Sequence, residues 1–275
     1  MTFALLIEAL GIAPNASQHG YAIDSMLEML HWFMLLLFVG WGSFYAYILW
    51  RFRARKHPKA LYAGAASHLP TKLEGGIAVL EVVILLSFAA PIWSARVNQF
   101  PTGPDVTHLQ AVGEQFLWNF HYTGPDNKFG QGDPKLVSAS NPLGLDSKDP
   151  DGADDLVTRG EMHLPVNHPV IVDVSSKDVI HDFCIPNMRV AMDAIPGSVL
   201  PVWFVPIKEG TYEIVCAQLC GSNHSGMRGV LVVESEEKYK KWFNDTYNTT
   251  HPNAKLASAP SPVPAVNGPN LVQSK

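Results

Sequence analysis

A membrane-anchored all-β protein is the fold class predicted by three features of the 275-residue sequence. These are two long apolar runs near the N-terminus, a basic cluster between them, and a succession of short β-like runs after Pro101. The first apolar run, His31 to Trp50 (HWFMLLLFVGWGSFYAYILW), has no formal charge and matches the ~20 residues needed to cross a ~30 Å hydrocarbon layer as a helix. The second, Gly75 to Trp93, is interrupted only by Glu81, with Pro91 near its end and Arg96 just beyond. Together they predict a helical hairpin over 25–97, with helices at about 26–50 and 74–97.

Arg51, Arg53, Arg55, Lys56, Lys59 and Lys72 fall in the short connection, which holds no acid. Short loops rich in Lys and Arg stay on the cytoplasmic side, so both termini are expected outside. Residues 1–24 form an N-terminal outer segment in this reading. Their start lacks the positive region of a signal peptide and contains Glu8, which favours an uncleaved stretch along the outer face.

From residue 98 to 248 the runs THLQAVGEQFLWNFHY, EMHLPVNHPVIVDVSS, SVLPVWFVPI, TYEIVCAQ and RGVLVVES, separated by turn residues, predict a sandwich or barrel. A Gly-, Asp- and Pro-rich insertion at 124–160 reads as an ordered surface loop. Its DPDGADD run lacks EF-hand spacing and a closing Glu, so a solvated turn is expected there rather than a calcium site. ESEEKYKKWFNDTY at 234–247 places acids first and lysines later, the order that suits a helix dipole. The Pro-, Ala- and Ser-rich tail, 249–275, is expected to be disordered.

The net charge of −5 conceals an acidic outer domain, since residues 98–250 hold 20 acids against 11 bases. That balance argues against nucleic acid as a partner and favours a basic protein. Three cysteines exclude a disulfide scaffold, and two of them fall within CAQLCGSNHSGM, which spaces Cys216, Cys220, His224 and Met227 as C-x3-C-x3-H-x2-M. Thiolate, imidazole and thioether together suit copper, whereas zinc rarely uses Met. A blue-copper site needs one Cys, so the second thiolate points to two bridged coppers with a further histidine, for which SSKDVIHDFCIPNM offers His181. The competing reading is a Cys216–Cys220 disulfide with His224 and Met227 as ordinary residues.

With the hairpin, DVIHDFCIPNMRVAMDAIPG and CAQLCGSNHSGM resemble the matching segments of subunit II of the haem-copper respiratory oxidases, cytochrome c oxidase, over about residues 25–245. The resemblance implies a cupredoxin-like β-barrel carrying the binuclear copper A centre. It implies that Cys216 and Cys220 bridge two copper ions, that His181 and His224 each bind one, that Met227 is a weak ligand, and that Gln218 gives its backbone carbonyl. The family usually has Glu at this last position, where the carboxylate also binds magnesium; an amide binds that ion more weakly and without charge. AVGEQFLWNFHY resembles the family's aromatic segment. The electron-accepting tryptophan of the family falls at Phe116, with Trp118 the nearest substitute, and Phe116, Trp118, Phe120 and Tyr122 share one face if this is a strand.

Glu74 matches an acid the family places at the mouth of a proton channel, whereas Glu81 departs from the pattern and is expected to hydrogen-bond at the subunit I interface. Cys184 is expected to be a buried small residue, and His108, His121, His163 and His168 to serve surface or packing roles. The implied function is electron transfer from a c-type cytochrome to haem in subunit I, for oxygen reduction coupled to proton translocation. The implied partners are subunits I and III and the lipid bilayer of a bacterial inner membrane, with the copper domain periplasmic. No CxxCH haem-attachment sequence is present, so the cytochrome is expected to be separate. Quinol oxidase subunit II lacks the copper ligands, the nitrous oxide enzyme lacks the hairpin, and a blue-copper carrier has one cysteine fewer. A membrane nitric oxide reductase using copper A stays in competition.

Overall fold

The computed structural model describes residues 11–59, 62, 67–103, 105–124 and 126–251. The N-terminal ten residues and the tail beyond His251, on which two of the expectations above fall, lie outside the described residues. The chain divides into one unit spanning Ala22–Gln99 and a second built from the described residues on either side of it.

In the first unit, helices α1 (Gly20–Arg51) and α2 (Leu69–Asn98) are each long and apolar enough to cross a membrane. Both begin earlier than the expected 26 and 74. For α1 the charge-free run marked only the membrane core, and Asp24 and Glu28 are compatible with an N-terminal helical stretch. For α2 the Leu69 N–H bonds Ser67 Oγ at 3.1 Å and proline occupies the first turn, where its missing N–H costs nothing. A π-helical turn, Leu85–Ala89, directly precedes Pro91 in α2.

The second unit carries ten strands: β1 (Thr107–Glu114), β2 (Leu117–Tyr122), β3 (Leu156–Arg159), β4 (Glu161–Pro165), β5 (Val170–Ser176), β6 (His181–Ile185), β7 (Val190–Ala194), β8 (Leu200–Phe204), β9 (Gly210–Cys216) and β10 (Arg228–Glu234). They form two five-stranded sheets, ordered β3-β2-β1-β5-β8 and β4-β10-β9-β6-β7. The β1–β5 and β10–β4 pairs are parallel and the other ladders antiparallel. Alternation sends Trp118, Phe120 and Tyr122 of β2 into the core, where Trp118 and Phe120 meet Phe183 of β6 edge-on at 5.4 and 6.4 Å.

Four sequence expectations change here. Phe116 is not on the β2 face, because the run THLQAVGEQFLWNFHY breaks into two strands around a turn at Gln115–Phe116. The insertion ends as strand β3, which pairs with β2. Cys184 is half-buried, since alternation turns His181, Phe183 and Ile185 inward and Asp182 and Cys184 outward. The short helix, here α3, runs Glu236–Thr250, with Ser235 as N-cap accepting from the Lys238 N–H and Glu236 and Glu237 in its first turn.

The outer face of the first sheet is covered by the insertion. His121 and Asp155 are both buried there and bond at 2.6 Å, while Asp155 also accepts from the Gly130 and Gly124 N–H groups. Other acids of the insertion cap it in the same way, Asp149 accepting from the Gln131 and Asp151 N–H groups. Ahead of α1, residues 16–18 add themselves to the domain: the Ala16 N–H bonds Asn187 O at 2.8 Å, the Ile207 N–H bonds Ala16 O at 2.9 Å, and the Gln18 N–H bonds Val205 O at 3.0 Å.

Candidate metal centre

Strand β9 ends at Cys216 and β10 starts at Arg228, so the eleven-residue gap expected to hold ligands closes on itself at the end of these two strands. At its base the Cys216 N–H bonds Met227 O at 3.2 Å, and the Ala217 N–H bonds Asp182 O of β6 at 3.1 Å. A 3-10 turn at His224–Gly226 swings the His224 ring back towards the cysteines. All but the Ala217–Asp182 bond are local, which is why a twelve-residue motif assembles most of a site.

The sulfur and nitrogen atoms converge. Cys216 Sγ lies 3.7 Å from Cys220 Sγ and 3.9 Å from His181 Nδ1, and Cys220 Sγ lies 3.6 Å from His224 Nδ1 and 3.9 Å from Met227 Sδ. The Gln218 carbonyl oxygen is 3.2 Å from Cys216 Sγ, while the Gln218 side chain is exposed. Both thiols are free, with the two sulfurs beyond disulfide bonding distance. His181, Cys216, Cys220 and Met227 are all buried, and His224 is half-buried. Burial, followed by the neighbouring Cys216, pushes the Cys220 thiol up to about 11.

His181 is fixed from two sides. Its Nε2–H donates to Asp178 Oδ1 at 2.9 Å, which leaves the Nδ1 lone pair facing the sulfurs. Partial burial disfavours charge on Asp178. The His181 ring and the N–H groups of Gln115 and Val179 outweigh this and hold the carboxyl below the usual carboxylate range. Behind the ring, Gly113 of β1 leaves no space for a side chain: a Cβ there would come within 2.8 Å of His181 Cδ2. The Trp118 ring completes the wall at 6.0 Å, edge-on to the imidazole.

The structure therefore joins five of the predicted side chains and the predicted carbonyl. It separates the two aromatic candidates. Trp118 is fully buried, so it cannot offer a face to a docked donor, whereas Phe116 is half-buried and packs over the ligand loop at Gly221. Glu74 belongs to the helical unit. The sequence matched Gly113 and Gln115 to the family's aromatic segment but gave neither a role at the ligands, and it did not mark Asp178; an acid three residues before a histidine carries no signal until the fold turns it back onto the ring.

The family model described as cytochrome c oxidase subunit II, periplasmic domain, matches residues 107–235. An alternative cytochrome c oxidase subunit 2 of Bradyrhizobium diazoefficiens is 37% identical over 232 residues, covering 84% of this chain and 82% of the relative. The chain belongs to the cytochrome c oxidase subunit II family. Within it, a cytochrome c oxidase subunit 2 of Cereibacter sphaeroides is 26% identical over 88% of this chain and 81% of its own length. The crystal structure of the periplasmic domain of subunit II from Bradyrhizobium japonicum aligns with a TM-score of 0.38 at 26% identity, covering 52% of this chain and 94% of that one. Subunit II proteins are parts of haem-copper respiratory oxidases and normally bind copper A, and the buried His181, Cys216 and Cys220 form a group able to hold a metal. Soft sulfur with imidazole, on free thiols, fits that ion.

Proposed function

We propose that this chain is the electron-transfer subunit of an aerobic terminal oxidase, accepting electrons from a c-type cytochrome at a binuclear copper A centre and passing them to haem in subunit I. The supporting observation is the unbroken series of donor contacts, 3.6–3.9 Å, through His181, Cys216, Cys220, His224 and Met227. A copper pair held by these residues would supply a one-electron store. Cys216 and Cys220 would bridge the two ions, His181 and His224 would hold one each, and Met227 and the Gln218 carbonyl would complete the set.

The chain's own residues prepare that site. Asp178 holds His181 in the tautomer that presents Nδ1, and Gly113 and Trp118 fix the ring plane. Buried Phe183 and Trp118 exclude water from the inner side. On the outer side the half-buried Phe116 beside the ligand loop and the exposed Leu219 within it offer an apolar contact to a donor, which the acidic domain would steer if it is basic.

In this reading α1 (Gly20–Arg51) and α2 (Leu69–Asn98) span a bacterial inner membrane, with the N-terminal segment, the copper domain and the tail at 249–275 outside. Subunits I and III are the membrane partners, and oxygen reduction in subunit I is coupled to proton translocation. Gln218 would leave magnesium held weakly, by an uncharged oxygen. Glu74 stands at the mouth of a proton channel, so Glu74→Gln should slow oxygen uptake by the assembled oxidase without changing its copper content; equal rates would remove that role.

Copper analysis and EPR of the purified full-length chain test the central claim. Two coppers per chain sharing one unpaired electron are expected. One copper, or none with a Cys216–Cys220 disulfide, would overturn it.

A further inference from the structure

The turn between β1 and β2 reaches the ligand loop from the opposite sheet. Gln115 Nε2 donates to the Cys220 carbonyl at 2.6 Å, across 105 residues of sequence. The backbone N–H of the same residue donates to Asp178 Oδ2 at 2.7 Å, across 63 residues. Asp178 Oδ1 is the acceptor for His181 Nε2. One exposed residue thus touches the loop that carries the cysteines and the segment leading into the strand that carries the distant histidine. The residue after Cys220 is shaped for this contact. Gly221 has φ +142°, and a Cβ there would fall 2.8 Å from Gln115 Nε2 and 3.0 Å from Phe116 Cζ.

We propose that Gln115 is a positioning residue for the copper pair. Its amide fixes the Cys220 carbonyl and so the direction of Cys220 Sγ, while its backbone N–H fixes Asp178 and through it the His181 ring. Residues that orient metal ligands in this way typically alter metal affinity about 10–100-fold when removed. The inference rests on the copper reading above.

The test uses the full-length chain in detergent. Gln115→Met keeps the side-chain length and removes the amide donor, and at an exposed position it should leave the circular dichroism spectrum and unfolding midpoint unchanged. Copper affinity should fall about tenfold or more, with an EPR hyperfine pattern that departs from even sharing of the electron. Gln115→Asn, too short to reach, should behave likewise. Gly221→Ala should reproduce the effect by displacing Gln115 and Phe116. If Gln115→Met binds two coppers with unaltered affinity and spectrum while electron uptake from a cytochrome slows, Gln115 is a docking residue and the proposal fails. A wild-type chain that binds fewer than two coppers instead overturns the copper reading itself.

Discussion

Two buried histidines in this domain are built alike and serve different ends. His181 and His121 are both shielded from solvent, and each bonds an aspartate through Nε2, Asp178 at 2.9 Å and Asp155 at 2.6 Å. They part at the other nitrogen. His181 Nδ1 faces the Cys216 sulfur, whereas His121 Nδ1 meets Gln110 Oε1 at 3.0 Å. Their aspartates differ as well. Asp178 is one-third exposed and belongs to the segment leading into β6, while Asp155 is fully buried and ties the insertion to β2 through the Gly124 and Gly130 N–H groups. A His–Asp unit is thus a ligand support or a structural latch according to what its free nitrogen meets, and not according to its burial.

Variants can break that distinction. The largest effect is expected at the sulfurs: Cys216→Ser should abolish the shared-electron EPR signature and reduce copper from two per chain to one or none. Next comes the latch. Asp155→Ala leaves the His121 ring and the Gly124 and Gly130 N–H groups without their acceptor in a dry site, at about 1–3 kcal/mol for each group left unsatisfied, measurable by guanidinium unfolding of the copper-free protein. Copper stoichiometry in this variant should stay at two; a parallel loss of copper would show that the two histidines are not separate systems. Asp178→Asn should do the reverse, lowering copper affinity about 10–100-fold by titration while the unfolding midpoint barely moves.

The convergence of the proposed ligands was readable in the sequence and the latch was not. Cys216, Cys220, His224 and Met227 lie within one loop whose hydrogen bonds are nearly all local, so spacing alone constrains them. His181 needed only the neighbouring segment with its own motif. His121 sat in a β-like run and was read as a surface or packing residue, and its partner Asp155 is 34 residues away in a run read as a solvated turn. Only the folding of that insertion over the sheet makes the outward face of β2 an interior. The same distance hid Gln115, whose contacts cross from one sheet to the other, and it put Phe116 on a strand face when it lies in a turn.

The last effect expected is on pH dependence, and it sets the copper site against the copper-free fold. The Cys220 thiol is pushed from 9.0 to about 11 in the folded, metal-free chain, by burial first and then by Cys216. Its folded value lies above the unfolded one, so its contribution to stability is complete below about pH 9 and is lost as pH rises towards about 11. Copper binding needs the thiolate, so a proton leaves as the metal arrives. Affinity should then rise with pH between 6 and 9, by up to about tenfold per unit for each proton released. The copper-free fold and the copper site therefore respond to alkali in opposite directions. His121→Asn should lower stability and leave the slope of copper affinity against pH unaltered, because no ligand proton belongs to the latch. A changed slope would mean that the insertion and the metal site share a proton, and the two histidines would have to be treated as one system.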